Sequence, residues 1–278
     1  MAEIEQNGAI VTLFSTASAV GKTLVSTNLA AELARDGYRV CLLDLDLQFG
    51  DVCNYLQLMP ENTIADAQQA FAVEGDNAHV EEYLTPYEHD GVVFYVMANP
   101  SLLEEAYNIK PDAVKRVVQQ LQAMFNYVVI DTTSMFSVLN LSMLDISTVV
   151  IFLGIVDFIP TIKNMKSGID TLKKLNYDRN KLRIVLNRSN AKTRIPMDEV
   201  TGILGEDFYH ILPNDFRAAN ASIKSGVPLV LSHGGDGLGL ALRELVYRST
   251  NQHYEEGPID EPREKSGGGL FHRLFGKE

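Results

Sequence analysis

Gly21-Lys22-Thr23 stands between a short apolar run and a helical pattern, and it is the first stretch of the chain able to do chemistry. A strand that turns through a loop into a helix aims backbone N–H groups and the positive end of the helix at an anion. A lysine at that point pairs with β- and γ-phosphate oxygens, and the hydroxyl that follows it ligates Mg²⁺. The strict pattern GxxxxGK[ST] is not met, because Thr16 occupies the first glycine position. By itself Gly-Lys-Thr also fits an ordinary helix start. Two acidic strand ends add weight. Leu43-Asp44-Leu45-Asp46 closes a second apolar run, and carboxylates two apart on a strand share a face, so Asp44 and Asp46 can address one ligand. Tyr127-Val128-Val129-Ile130-Asp131 is an apolar run ending in a carboxylate that can hold a Mg²⁺ shell. Open α/β sheets bind ligands at such carboxyl ends.

The elements that must position these residues alternate. Apolar runs at 9–14, 39–44, 92–97, 127–131, 148–153 and 182–187 read as buried strands. Helical spacing recurs near 22–36, 62–72, 110–124, 160–174, 196–204, 216–225 and 238–251. Apolar strands separated by helices predict an α/β fold, a mostly parallel sheet with helices on both faces. The 278 residues suffice for one large core, and 46% hydrophobic with 22% charged is an ordinary globular balance. Residues 8–251 read as one domain. The excess of 36 acidic over 24 basic residues, a net charge of −12, argues against wrapping nucleic acid. Cys41 and Cys53 are too few for a disulfide framework or a four-thiolate site. No apolar run reaches membrane-spanning length and the acidic amino terminus is no secretory signal, so a cytoplasmic chain is expected.

The chain resembles the MinD/ParA deviant-Walker ATPases, and within them the CpaE/TadZ pilus-localisation branch. The stretches that carry the resemblance are STASAVGKTLVSTNLA (15–30), RVCLLDLDLQFGDV (39–52), YVVIDTTS (127–134), RIVLNRSN (183–190), ILPNDFRAANASIKSGVPLV (211–230) and GGLFHRLFG (268–276). The resemblance implies a P-loop NTPase fold that binds ATP and Mg²⁺ and forms a homodimer through the nucleotide face. Ser18, Ala19, Val20, Gly21, Lys22, Thr23 and Leu24 would line the phosphates. Thr23, Asp44 and Asp131 would serve the metal and its water shell, and Asp46 would orient the attacking water beside Lys22. Asn187 and Arg188 would flank the adenine, opposite Pro213, Asn214 and Asp215.

This sequence departs from the family pattern KGGxGKT. Ala17 stands where a signature lysine would cross to the partner's phosphate, and Ser18 and Ala19 replace two glycines. After Asp131, Thr133 and Met135 replace Pro and a γ-phosphate-sensing Gly, and Leu24 replaces a hydroxyl residue. Phosphoryl transfer depends on positioning and on positive charge around the γ-phosphate, and loss of a trans cation costs on the order of 10³–10⁵ in rate. Slow or partner-dependent hydrolysis is therefore expected.

The carboxyl-terminal segment differs in kind. Residues 252–269 are rich in Glu and Gly with two Pro and almost nothing to bury, and read as a flexible linker. In 270–278, Leu270, Phe271, Leu274 and Phe275 share one helical face and His272, Arg273 and Lys277 the other, which is the pattern of an interfacial membrane anchor. It is similar to the carboxyl-terminal targeting helix of MinD. The expected location is thus the inner face of the cytoplasmic membrane. Residues 163–194 hold ten basic residues against two aspartates, a solvated helix face or a DNA contact. Three functional readings follow: a membrane-cycling ATPase switch serving pilus or division machinery, a nucleotide-bound scaffold without turnover, and a DNA-bound partition ATPase. The protein cargo is not legible.

Overall fold

The computed structural model describes residues 7–178, 180–189, 195–232 and 237–250. The linker and the tail, with Leu270, Phe271, Leu274 and Phe275, lie outside the described residues. Among the described residues, eight strands form one sheet: β1 (Ala9–Phe14), β2 (Val40–Asp44), β3 (Thr85–His89), β4 (Val92–Met97), β5 (Tyr127–Asp131), β6 (Val149–Gly154), β7 (Leu182–Leu186) and β8 (His210–Ile211). Their spatial order is β3-β4-β2-β5-β1-β6-β7-β8. All neighbours run parallel except β3 and β4, which form an antiparallel hairpin at one edge. The expected α/β architecture with a mostly parallel sheet is what the chain adopts. No helix among the described residues is long and apolar enough to cross a membrane.

Successive strand residues feed opposite faces, so the central strands are apolar apart from Thr12 and the closing Asp44 and Asp131. Val11, Leu13, Leu42, Val129 and Leu153 pack under α1 (Lys22–Arg35) and α10 (Leu238–Ser249). Ile10, Cys41, Leu43, Val128 and Ile130 face α3 (Ile64–Glu74) and α5 (Pro111–Met124). Phe14, Val150, Phe152 and Leu186 meet α7 (Ile159–Lys174) and α8 (Met197–Leu204). The central helix α1 is buried along almost its whole length, from Leu24 to Leu33.

Among the described residues, five α-helices and strands have no counterpart in the sequence reading: α2 (Val52–Leu56), β3, α4 (Leu103–Asn108), α6 (Val138–Ile146) and β8. Each is short or atypical. β3 is TPYEH, an edge strand where Pro and charge are tolerated, and β8 is two residues long. One boundary matters for the site. β2 ends at Asp44, so Asp46 lies in the following loop and the argument that Asp44 and Asp46 share a strand face does not hold.

Between α1 and α10 lies a buried ionic cluster. Glu32 is fully buried and pairs with Arg35, with Arg243 at 3.6 Å and with the Tyr247 hydroxyl at 3.3 Å. Both guanidinium groups also donate to the Val230 carbonyl, at 3.1 and 2.5 Å, which ties the chain before α10 to the end of α1. Burial pushes Glu32 up to about 7, against the lowering pull of Arg35 and Arg243. The folded chain thus holds this proton more tightly than the unfolded chain, whose carboxyl titrates near 4.5. The associated stability is present in full below that value and is lost as pH rises through about 7. Glu32→Gln is expected to flatten the fall in melting temperature between about pH 5 and about pH 8, read by thermal denaturation of both proteins.

Candidate nucleotide site

The sheet order puts β1 between β5 and β6, so the loops leaving β1, β2, β5, β6 and β8 open on one edge. The loop of residues 15–21 runs from β1 into α1, with Gly21 as the amino-terminal cap at φ 96°. No side chain caps this helix, so its first N–H groups face the loop. Ala19 keeps the left-handed conformation, φ 57°, that glycine would adopt without strain. Two side chains from the end of β7 grip the outside of the loop. Asn187 Nδ2 donates to the Val20 carbonyl at 2.8 Å, and an Arg188 guanidinium nitrogen donates to the Ala19 carbonyl at 3.0 Å. With both carbonyls held outward, the loop keeps the curvature of an anion cradle.

Thr23 and Asp131 meet below the loop. The Thr23 hydroxyl donates to Asp131 Oδ2 at 2.6 Å, and Asp131 Oδ1 is buried with no hydrogen-bond partner among the described residues. Burial raises Asp131 to about 6, while Thr23 and the Lys22 ammonium pull it down. A bare buried carboxylate oxygen beside a hydroxyl is a hard-oxygen donor set that fits Mg²⁺. Asp44 is the register partner of Asp131 on β2. Its oxygens accept from the Asp46 and Val52 amides, both at 3.1 Å, so Asp44 folds the loop after β2 around itself. Burial and the facing Asp131 push it well above the carboxylate range. Gly50 is essential to that fold: a β-carbon there would sit 2.3 Å from Asp44 Oδ2. Asp46, partly exposed on the same loop, accepts from the Phe49 amide at 3.4 Å.

A cleft of about 180 Å³ opens beside Gly21 and Leu24. Asn187, Arg188, Pro213, Asn214 and Asp215 line it, so the residues expected around a purine come together although they lie far apart in sequence. Asp215 also caps α9 (Phe216–Ser225), accepting from the Ala218 amide at 2.9 Å. Tyr55, Phe216, Asn220 and Ile223 also line it, and the sequence reading had given none of them a site role. The Asn187 side chain is already engaged at both ends, since its Oδ1 accepts from the Arg188 amide at 2.9 Å. A larger cavity, about 570 Å³ between α3 and α5, gathers no residue of the phosphate loop.

Ala17, in place of the signature lysine, is half-buried against the core, and Ser18 and Ala19 are exposed. Of the basic residues at 163–194, Arg179, Lys192 and Arg194 lie outside the described residues. Lys166 pairs with Asp170 and Lys173 with Glu206, while Lys181 and Arg183 stack on Tyr177 and Tyr209. These charges serve the protein's own surface more than they form an open polyanion track.

A doubly wound sheet with a lysine–threonine loop at the start of its central helix defines a phosphate-binding α/β protein. Residues 11–229 match the CobQ/CobB/MinD/ParA nucleotide binding domain, and the chain belongs to that family. It is similar to the septum site-determining protein MinD of Thermotoga maritima, with 22% identity across 81% of this chain and 82% of that protein. The match to MinD of Bacillus subtilis is 31% identical but spans only 45% of this chain and 44% of the relative. Among solved structures, a ParA family ATPase from Chlorobium tepidum superposes with a TM-score of 0.77 at 18% identity, covering 86% of this chain and 98% of that one. MinD from Pyrococcus horikoshii, solved with Mg-ADP, gives 0.72 at 18% identity, covering 86% and 94%. At such identities the structures establish the fold.

Gly21 gives the sharpest test of the cradle. A β-carbon at Gly21 would lie 2.7 Å from Asn187 Nδ2, at a φ that L-residues rarely adopt. Gly21→Ala is expected to lower stability by about 1–3 kcal/mol and to abolish nucleotide binding, measured by thermal melts and calorimetry.

Proposed function

We propose that this chain is an ATP- and Mg²⁺-binding positional switch that dimerises through its nucleotide edge and acts at the inner face of the cytoplasmic membrane. The observation that carries the reading is the convergence of Lys22, Thr23 and Asp131 under one loop, next to a cleft lined by Asn187, Arg188 and Pro213. Mg²⁺, when bound, offsets phosphate charge. Thr23 and Asp131 have the donor chemistry to hold it, and Asp44 keeps the loop of Asp46 in shape. Lys22 supplies the positive charge toward the β- and γ-phosphates, and Asp46 is the candidate for orienting a water.

Dimerisation is supported by the apolar rim of this edge. Phe49, Met135, Val138, Phe158 and Phe216 are each more than half exposed and all lie at the carboxyl ends of β2, β5, β6 and β8. Exposed large apolar groups gathered around one edge mark an interaction surface. In the family pattern the partner's lysine crosses here; Ala17 cannot supply that charge, so turnover is slow or depends on another protein. A second copy doubles the number of amphipathic tails. Each tail alone binds lipid weakly, and two on one body bind with far greater avidity. DLDLQFGDV and LPNDFRAANASIKSGVPLV favour the CpaE/TadZ-like role, in which the cargo is pilus assembly machinery; a division-site role uses the same switch.

Calorimetry is expected to show Mg-ATP binding that Lys22→Ala removes, and phosphate release is expected to be slow without a partner. Fast turnover by the purified protein alone would overturn the slow-switch reading, and absence of ATP binding would leave only the fold. Deleting residues 268–278, or Phe271→Glu, is expected to abolish flotation with anionic liposomes while leaving the melting temperature unchanged. Undiminished flotation of the truncated protein removes the membrane role.

A further inference from the structure

Residues 132–137 join β5 to α6, and Ser134 among them reaches back to the phosphate loop. Its hydroxyl donates to the Ala17 carbonyl at 2.7 Å and accepts from the Lys22 ammonium at 3.1 Å. Ser15 donates to the same carbonyl at 2.5 Å, with its oxygen 3.5 Å from that of Ser134. A hydroxyl has one proton to give, and here it goes to Ala17, so a lone pair of Ser134 is what Lys22 meets. An ammonium has three protons, and one spent on Ser134 leaves two for phosphate oxygens. Ser134 sits on an anchored loop. The Thr132 hydroxyl donates to the Leu13 carbonyl at 2.6 Å, and Asn140 Nδ2 donates to Thr133 Oγ1 and to the Met135 carbonyl, both at 2.7 Å.

We propose that Ser134 is a positioning residue: it holds the Lys22 ammonium aimed at the end of a bound triphosphate and so sets the preference for tri- over diphosphate. The proposal rests on the nucleotide-binding reading above. A free lysine has a flexible four-carbon stem whose ordering costs affinity at the moment of binding. Ser134 removes part of that cost in advance. The effect falls mainly on the terminal phosphate. The β-phosphate has the N–H groups at the start of α1, whereas Ala17 brings no charge to the γ-phosphate, and Lys22 carries it in this subunit. The same hydroxyl links Lys22 to the backbone of Ala17, the position from which the family's signature lysine projects.

The test measures Mg-ATP and Mg-ADP affinities by calorimetry on the full chain, with Ser134→Ala and Ser134→Thr. Ser134→Ala is expected to lose about fivefold to tenfold in ATP affinity with less than about a twofold change for ADP, within the net range of one ordinary hydrogen bond. Ser134→Thr, which keeps the hydroxyl, is expected to restore the wild-type ratio. A folded Ser134→Ala with an unchanged ratio, or with equal loss for both nucleotides, overturns the proposal and leaves Ser134 a backbone prop for Ala17. A wild type that binds neither nucleotide overturns the underlying reading and the proposal with it. If Ser134→Ala melts below the assay temperature, Ser134→Cys takes its place, because a thiol is a weak hydrogen-bond partner and the same loss of ratio is expected.

Discussion

The hydroxyl of Thr23 and the carboxylate of Asp131 join the buried helix α1 to the middle of the sheet, and the arrangement of the site depends on that bond. Asp131 is a charged residue at the end of a fully apolar strand, where its desolvation is costly unless something positive or proton-donating meets it. Thr23 meets one oxygen and leaves the other bare. The first turn of α1 is thereby fixed against β5, and the loop before it has little freedom over where its N–H groups point. A carboxylate oxygen left bare in this way is expensive, and in the proposed reading bound Mg²⁺ relieves that expense.

The loop itself shows how a phosphate cradle can keep its shape with fewer glycines. Glycine at positions 18 and 19 would make positive φ cheap, yet Ala19 adopts it with a β-carbon present. The strain is opposed from outside by Asn187 and Arg188, which bind successive carbonyls, and from inside by Ser15 and Ser134, which bind the carbonyl of Ala17. Side-chain hydrogen bonds here do a task that backbone flexibility does in the glycine-rich pattern. One consequence is coupling: Asn187 and Arg188 line the cleft proposed for the purine while they grip the loop, so on that reading occupancy of the cleft bears on the geometry of the loop.

The parallel sheet and its central strands were legible because five or six consecutive apolar residues ending in a small or acidic residue have few other uses. The strand, loop and helix around Gly21-Lys22-Thr23 were legible from that motif in its context, and only a family resemblance could connect Asn187 with Pro213, which line one cleft. Other features were not legible. The loop after β2, which Asp44 folds around itself through the Asp46 and Val52 amides, is not encoded in periodicity, so Asp46 was wrongly given the same strand face as Asp44. The edge hairpin hides because β3 carries Pro86 and Glu88 in a strand that satisfies only one neighbour. Ser134 was given no role, since a serine between two substitutions shows no pattern until folding brings it to Lys22.

Loss of the signature lysine bears on rate and on affinity in different ways. Phosphoryl transfer needs charge placed on the transition state, so a missing trans cation slows it by orders of magnitude. Binding draws on many contacts, the helix end, Lys22, the metal donors and the cleft, and loses far less when one contact goes. A switch takes its conformational free energy from differential binding of its ligand, and turnover only sets how long the bound state lasts. In the proposed reading a protein with Ala17 in its loop therefore still pairs on ATP and still gathers two tails at a membrane, and its residence there is long. A partner that supplies the absent charge would be the natural means of ending it, which places control of the cycle outside this chain.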